Sequence, residues 1–295
     1  MAVVEHEITD HSRRFRKVTA GDTHIGQLLL RAGKLTEGDI IRIVTEQHQR
    51  GTRFGDAAIR LGLVSDLDIQ DALARQYQYP YSRPGESALS AALIAAHQPF
   101  GVQAEALRAL RTQLMLRWFN DRSKVLAVVS PRSGAGSSIL AANLAVVFAQ
   151  LGERTLLIDA NLRHPSQHEL FGLKPQVGLA GVLAGRGQFK EASELIAPFA
   201  NLSVIGAGPK VPNPQELLGR TTFSYVMETA PAAFDVVIVD TPPVLDYADA
   251  QLIAARAGGC LIVTRRHKTS VVDVKQAESQ LAQTGAILLG TVICE

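Results

Sequence analysis

No stretch of this 295-residue sequence approaches the roughly 18 consecutive apolar residues a membrane span requires. The longest candidate, around Leu140 to Leu151, is broken by Asn143 and Gln150, so any membrane role is expected to run through a partner. Cysteine is nearly absent. Cys260 and Cys294 lie in apolar segments and suit small buried side chains in a reducing compartment rather than a disulfide framework. An excess of charge of either sign is also lacking: the net value is +2, which gives no reason to expect a wrapped nucleic-acid polymer. Met1 to Lys17 mixes Glu5, Glu7 and Asp10 with Arg13, Arg14, Arg16 and Lys17 and lacks the apolar core of a secretory signal; residues 1–21 are expected to form a mobile tail. What remains is a globular composition, 46% apolar and 20% charged, with length for two domains. The expectation is a cytoplasmic protein.

The first eighty residues contain a repeat. His24 to Thr52 aligns without a gap on Arg53 to Tyr81, pairing Gly26 with Gly55, Arg31 with Arg60, Gly33 with Gly62, Asp39 with Asp68 and Gln47 with Gln76. Each unit predicts a short helix, Gln27 to Ala32 or Asp56 to Leu61, stopped by a glycine suited to a left-handed C-terminal position. A second helix restarts at Thr36 or Ser65, with Asp39 or Asp68 three residues on, a capping-box variant. Apolar residues such as Ile40, Ile43 and Val44 recur at helical spacing. Residues 22–81 are thus expected to form an all-α domain of two helical hairpins. Tyr77, Tyr79 and Tyr81 are expected to pack its end with their hydroxyls in water.

This pattern resembles the MshEN domain found at the N-terminus of secretion and pilus ATPases. Its longer form binds cyclic di-GMP through two 24-residue motifs joined by five residues. The resemblance places candidate cyclic di-GMP contacts at His24, Ile25, Gly26, Gly33 and Gln47, and at Arg53, Phe54, Gly55, Gly62 and Gln76. Glycines admit a phosphate to the backbone, and arginine pairs with phosphate or guanine. His24 stands where the motif has its first arginine, and Lys34 where it has an aliphatic residue. The same glycines and caps also suffice for a plain protein-docking module.

Residues 82–98, with Pro84 and Gly85, are expected to be a linker. Residues 99–295 change character: apolar runs alternate with helical patterns. Strands are expected at Val125 to Ser130, Thr155 to Asp159, Leu202 to Ile205, Val236 to Asp240, Cys260 to Thr264 and Ala286 to Ile293. Near-continuous apolar strands between helices predict an α/β fold, a parallel sheet covered on both faces, with ligands at the strands' carboxyl ends.

Three polar elements fall at those ends. Ser133, Gly134, Ala135, Gly136, Ser137, Ser138 and Ile139 form a glycine loop opening a helix, which is a phosphate cradle. Ser138 is placed to bind Mg²⁺, and Ser137 occupies the slot of the usual lysine. Asp159, Asn161 and Arg163 follow the second strand. Asp240 ends an apolar strand as a Walker B carboxylate does.

With these elements in order, the chain resembles the bacterial tyrosine kinases of polysaccharide export, and over about Ile25 to Val292 the EpsG type of chain-length-determinant kinase. Further matches are Glu105-x-x-Arg108-x-x-Arg111, Asn143-Leu144-Ala145, Pro212 through Leu218 and Asp246 through Ala250. The resemblance implies ATP or ADP with Mg²⁺ held by Ser138, Asp159 and Asp240. It also implies an integral-membrane chain-length determinant (a polysaccharide co-polymerase) as partner at the inner face of the membrane. Glu105, Arg108 and Arg111 would then pair across subunits of a homo-oligomer; on spacing alone they form one charged helix face. Asp159, Arg163, Asp240 and Ser138 keep the kinase pattern. Ser137 for lysine and Asn161 for the second aspartate depart from it, and weakened phosphoryl transfer is expected. Arg132, inside the loop, is the candidate to reach the phosphates instead. The last tyrosine is Tyr247, so a phosphorylated C-terminal tyrosine cluster is not expected. Two further readings stay open. One is a non-catalytic, cyclic di-GMP-responsive scaffold. The other, a partitioning-type ATPase, is disfavoured by Arg132 at the position of that group's signature lysine.

Overall fold

A computed structural model describes residues 20–83, 85, 87–120, 122–174 and 177–295. Most of the expected tail, residues 1–19, and the side chain of His24 lie outside this description. The chain divides into two units, Met1–Tyr79 and Pro80–Glu295.

The first unit is helical: α1 (Ala20–Arg31), α2 (Glu37–Arg50), α3 (Phe54–Arg60) and α4 (Asp66–Tyr77). The repeat is written into its caps. The Thr36 side chain receives the Asp39 amide while Asp39 receives the Thr36 amide, and Ser65 and Asp68 do the same. Gly33 and Gly62 close α1 and α3 at φ of +69° and +67°. Gly26 and Gly55 have a different task, because a Cβ on them would lie 3.2 Å from the Phe54 ring and from Ile69. They let helices approach around the core of Leu29, Ile43, Phe54 and Ile69. Tyr77 does not pack the bundle end as expected; it is exposed, because Gln78 turns left-handed and stops α4 there.

Hydrogen bonds from Ser65 hold Asp68 down to about 2, with Lys34 at 3.0 Å adding to the effect. A depressed carboxylate stabilises above its unfolded value of about 3.9 and loses that contribution as pH falls through about 2. Ser65→Ala is therefore expected to cost about 1 kcal/mol near neutrality. The penalty should shrink near pH 2, read as amide-exchange protection in α4; a penalty independent of pH would count against the capping box.

The second unit is the expected α/β domain. Two helices, α5 (Ile94–His97) and α6 (Val102–Arg117), precede β1 (Val125–Val129), α7 (Ser137–Leu151) and β2 (Thr155–Asp159). Next come α8 (Gln167–Phe171), α9 (Gly178–Leu183), β3 (Glu194–Leu195), β4 (Leu202–Ile205), α10 (Pro214–Gly219) and α11 (Thr221–Ala233). The chain continues through β5 (Val236–Asp240), α12 (Asp249–Ala257), β6 (Gly259–Arg265), α13 (Val271–Ala282) and β7 (Ile287–Cys294). The sheet order is β3-β4-β2-β5-β1-β6-β7, parallel except for the short edge strand β3. Alternate residues of β1 face two cores. Ala127 and Val129 pack with α9 to α13, and Leu126 and Val128 with α7 and the end of α6. Cys260 is buried and Cys294 half-buried, and burial pushes both thiols upward, Cys260 to about 11.

Residues 82–98 are not a linker. Leu93, Ala95 and Ala96 are fully buried in the core beneath α7. Their backbone is held by the two polar residues that interrupt the apolar run of α7. Asn143 receives the Ala95 amide at 2.9 Å and donates to the Ala92 carbonyl at 2.9 Å. Gln150 donates to the carbonyls of Pro80 and Ala95 at 3.0 and 2.9 Å. A buried irregular segment needs such partners for its backbone, which is why the boundary falls at Pro80 rather than after residue 98.

Candidate functional site

The loop between β1 and α7 turns on Gly134 and Gly136, at φ of +84° and +86°. L side chains rarely adopt these values, and no atom lies within 4 Å of where a Cβ would stand. Behind the loop, α7 begins with no side chain capping it. Its first N–H groups and the positive end of the helix dipole form an anion cradle.

Two strand ends bring carboxylates beside the cradle. Asp159 and Asp240 close β2 and β5 in register, and both are fully buried. Asp240 accepts the Ser138 hydroxyl at 3.0 Å and the Gln167 amide nitrogen at 2.8 Å. Asp159 accepts the backbone amides of Asn161, Ser166 and Gln167 at 3.2, 3.1 and 3.0 Å. Burial pushes both carboxyl groups above their ordinary range, and the charge of Asp240 raises Asp159 further. Among the described residues neither has a basic partner. Two buried carboxylates without a counter-charge suit a site that receives a cation with its ligand.

The remaining expected site residues divide by what holds them. Ser137 is buried, and its hydroxyl meets that of Ser130 at 3.3 Å. Asn161 is a turn former: its side-chain oxygen takes the His164 amide at 3.1 Å. Arg132 is engaged elsewhere, bonded to Asp246 and Asp273 at 3.0 Å each, so a phosphate contact from it would break two ion pairs. Arg163 is clamped on Asp249 at 2.6 and 3.1 Å, with its guanidinium 4.4 Å from the Tyr247 ring centre. Ser133, Ala135 and Ile139 lie in the loop and first turn as expected. On α6, Arg108 pairs with Glu105 at 2.7 Å and donates to the Pro99 carbonyl, and Arg111 donates to the Val147 carbonyl at 2.8 Å. All three lie on a helix packed against α7 of the same chain.

Gln167 is the site residue that motif spacing misses. Nothing in the sequence marks a glutamine after Pro165-Ser166 as a partner of two strand ends and a loop.

The residues present fit a magnesium nucleotide. The cradle offers neutral donors, and Ser138 and Asp240 place hard oxygens one hydrogen bond apart. No group of three His, Cys, Asp or Glu among the described residues forms a complete metal cage, as suits an ion that takes its other ligands from phosphate and water.

Fold and site together define a P-loop nucleotide-binding domain. The family model described as ParA, NUBPL iron-transfer P-loop NTPase, matches residues 121–293. The putative tyrosine-protein kinase CapB of Staphylococcus aureus is 33% identical over 196 residues, 66% of this chain and 86% of that one. Tyrosine-protein kinase YwqD of Bacillus subtilis is 38% identical over 201 residues, covering 68% and 84%. The crystal structure of the chimerical protein CapA2B2 superimposes with a TM-score of 0.66 at 31% identity, over 76% of this chain and 97% of that one. The chain belongs to the bacterial tyrosine-protein kinase family of ParA-type P-loop proteins.

Proposed function

We propose that this chain is a cytoplasmic P-loop subunit of exopolysaccharide biosynthesis. It binds ADP or ATP with Mg²⁺, docks an integral-membrane chain-length determinant and carries weak or no phosphoryl transfer. Gly134 to Ser138 would hold the phosphates, and Ser138 and Asp240 the metal, with Asp159 behind them. Bound Mg²⁺ would neutralise charge on the phosphates. The chain's own part is to orient the nucleotide and keep the two carboxylates dry.

The observation that carries the reading is Ser137. A short neutral side chain turned toward Ser130 stands where the family places a lysine. The cradle survives this change, but a preorganised donor to the transferring phosphate is gone, a loss typically on the order of 10²–10³ in rate. Calorimetry of the full chain with Mg·ADP and Mg·ATP, beside a radiolabelled phosphotransfer assay, is expected to give clear binding and negligible turnover. Robust tyrosine phosphorylation by the unaltered chain would refute the attenuated reading, and absent nucleotide binding would leave only a scaffold. Glu105, Arg108 and Arg111 are assigned to contacts between subunits of a homo-oligomer; their alanine variants are expected to shift the chain to monomer in analytical ultracentrifugation.

A second reading adds cyclic di-GMP at the first unit. Arg53 is exposed at the start of α3, and the side-chain oxygen of Gln76 is buried without a hydrogen-bond partner among the described residues. The packing roles of Gly26 and Gly55 account for those glycines without a ligand. Titration with cyclic di-GMP should therefore be compared with Arg53→Ala; equal affinity would rule out the site.

A further inference from the structure

Gln167 sits where three separated segments meet. Its backbone amide donates to Asp159 at 3.0 Å, at the end of β2. Its side-chain nitrogen donates to Asp240 at 2.8 Å, at the end of β5, and to the Ser138 carbonyl at 3.0 Å, in the first turn of α7. The residue is fully buried, so water does not compete for these bonds. Its side-chain oxygen has no partner among the described residues. A buried carboxamide left half-satisfied is costly, so its position answers to the bonds it does make.

The two oxygens of Asp240 are thereby divided. One takes the Ser138 hydroxyl and the other takes Gln167. Together these bonds fix the carboxylate plane. A cationic donor bonded to Asp240 would cancel the charge that attracts a cation. A carboxamide holds it and leaves that charge in place.

We infer that Gln167 is a positioning residue for the metal-binding carboxylate, fixing Asp240 against the phosphate loop without neutralising it. The inference rests on the reading of this site as one for a magnesium nucleotide. Groups that orient a metal ligand from behind commonly change metal affinity by about 10–100-fold when removed. Gln167 therefore belongs to the metal-dependent part of nucleotide binding, whereas the backbone cradle serves the metal-independent part.

The test compares full-length wild type, Gln167→Leu and Gln167→Met. ADP affinity is measured by calorimetry in EDTA and in Mg²⁺, and Mn²⁺ affinity of the ADP-saturated protein by electron paramagnetic resonance. Both variants are expected to keep ADP affinity in EDTA within about threefold while Mn²⁺ binding weakens about tenfold or more. Methionine matches the length of glutamine and fills its space, so it tests the donor should leucine disturb folding. Unchanged Mn²⁺ affinity in the variants overturns the inference alone. So does an equal loss of ADP affinity with and without metal, since that reports general damage to the loop. A wild type whose ADP binding is indifferent to Mg²⁺ overturns the magnesium-nucleotide reading itself, and this inference with it.

Discussion

Ser137→Lys is expected to tighten Mg·ATP binding by about 10–100-fold, the worth of one charged hydrogen bond at about 1.5–3 kcal/mol. It should also raise phosphotransfer by about 10²–10³ from whatever background the wild type shows. The position is the first residue of α7, directly behind Gly136, and among the described residues the serine hydroxyl there makes one long bond, to Ser130. Lysine would extend its stem past Ser130 and bring a point charge to the cradle. The gain should be larger for ATP than for ADP if the new ammonium group reaches the terminal phosphate. Asn161→Asp provides the contrasting control. An aspartate can accept the His164 amide as Asn161 does, so the turn survives. It nevertheless adds a third buried carboxyl group beside Asp159 and Asp240, and alone it should destabilise the apoprotein. Paired with Ser137→Lys, that penalty should shrink because the ammonium group compensates the added charge. Equal Mg·ATP affinities in wild type and Ser137→Lys, measured by calorimetry, would mean that a side chain at position 137 does not reach the phosphates.

The α/β architecture was legible because its strands are apolar on both faces, and such runs need helices on both sides. All six expected strands appear, three with the expected bounds and three with ends displaced by one residue. The missing seventh, β3, is two residues of antiparallel edge, too short to carry a periodic signal. The glycine loop and the strand-end positions of Asp159 and Asp240 are legible because local spacing defines them. Gln167 is not, since its partners lie 29 and 73 residues away and only the fold brings them together. The burial of Leu93, Ala95 and Ala96 within residues 82–98 is hidden from the sequence for the same reason. Composition reads that stretch as a connector, while Asn143 and Gln150, far along the chain, supply the bonds that let it be buried. Asn161 departs from the kinase pattern in the sequence, and the structure gives it a local turn to hold. The caps of the helical repeat were plain because their partners sit three residues apart.

A single added methyl group at Gly259 is expected to be strongly damaging to the nucleotide domain. A Cβ there would lie 2.3 Å from one carbon of the Trp118 indole and 2.6 Å from two more. The indole cannot simply yield: Trp118 is buried and donates its ring N–H to the Val125 carbonyl at 2.9 Å. Gly259→Ala must therefore push the ring off its seat, giving up a hydrogen bond worth about 1 kcal/mol. Overpacking typically adds about 1–3 kcal/mol. A total near 3 kcal/mol in a domain of this size lowers Tm by roughly 6–12 °C. Because the chain has a single tryptophan, its emission reports the displacement directly and should shift to the red. The consequence reaches the site, since β6 pairs with β1 from Ala127 to Val129, the strand that delivers the phosphate loop. Nucleotide affinity should fall with stability. Trp118→Leu vacates the space the methyl needs, so Gly259→Ala should cost markedly less in that background, a coupling measurable by a double-mutant cycle. Additive costs, or an unshifted emission maximum in Gly259→Ala, would show that the methyl group does not displace the indole.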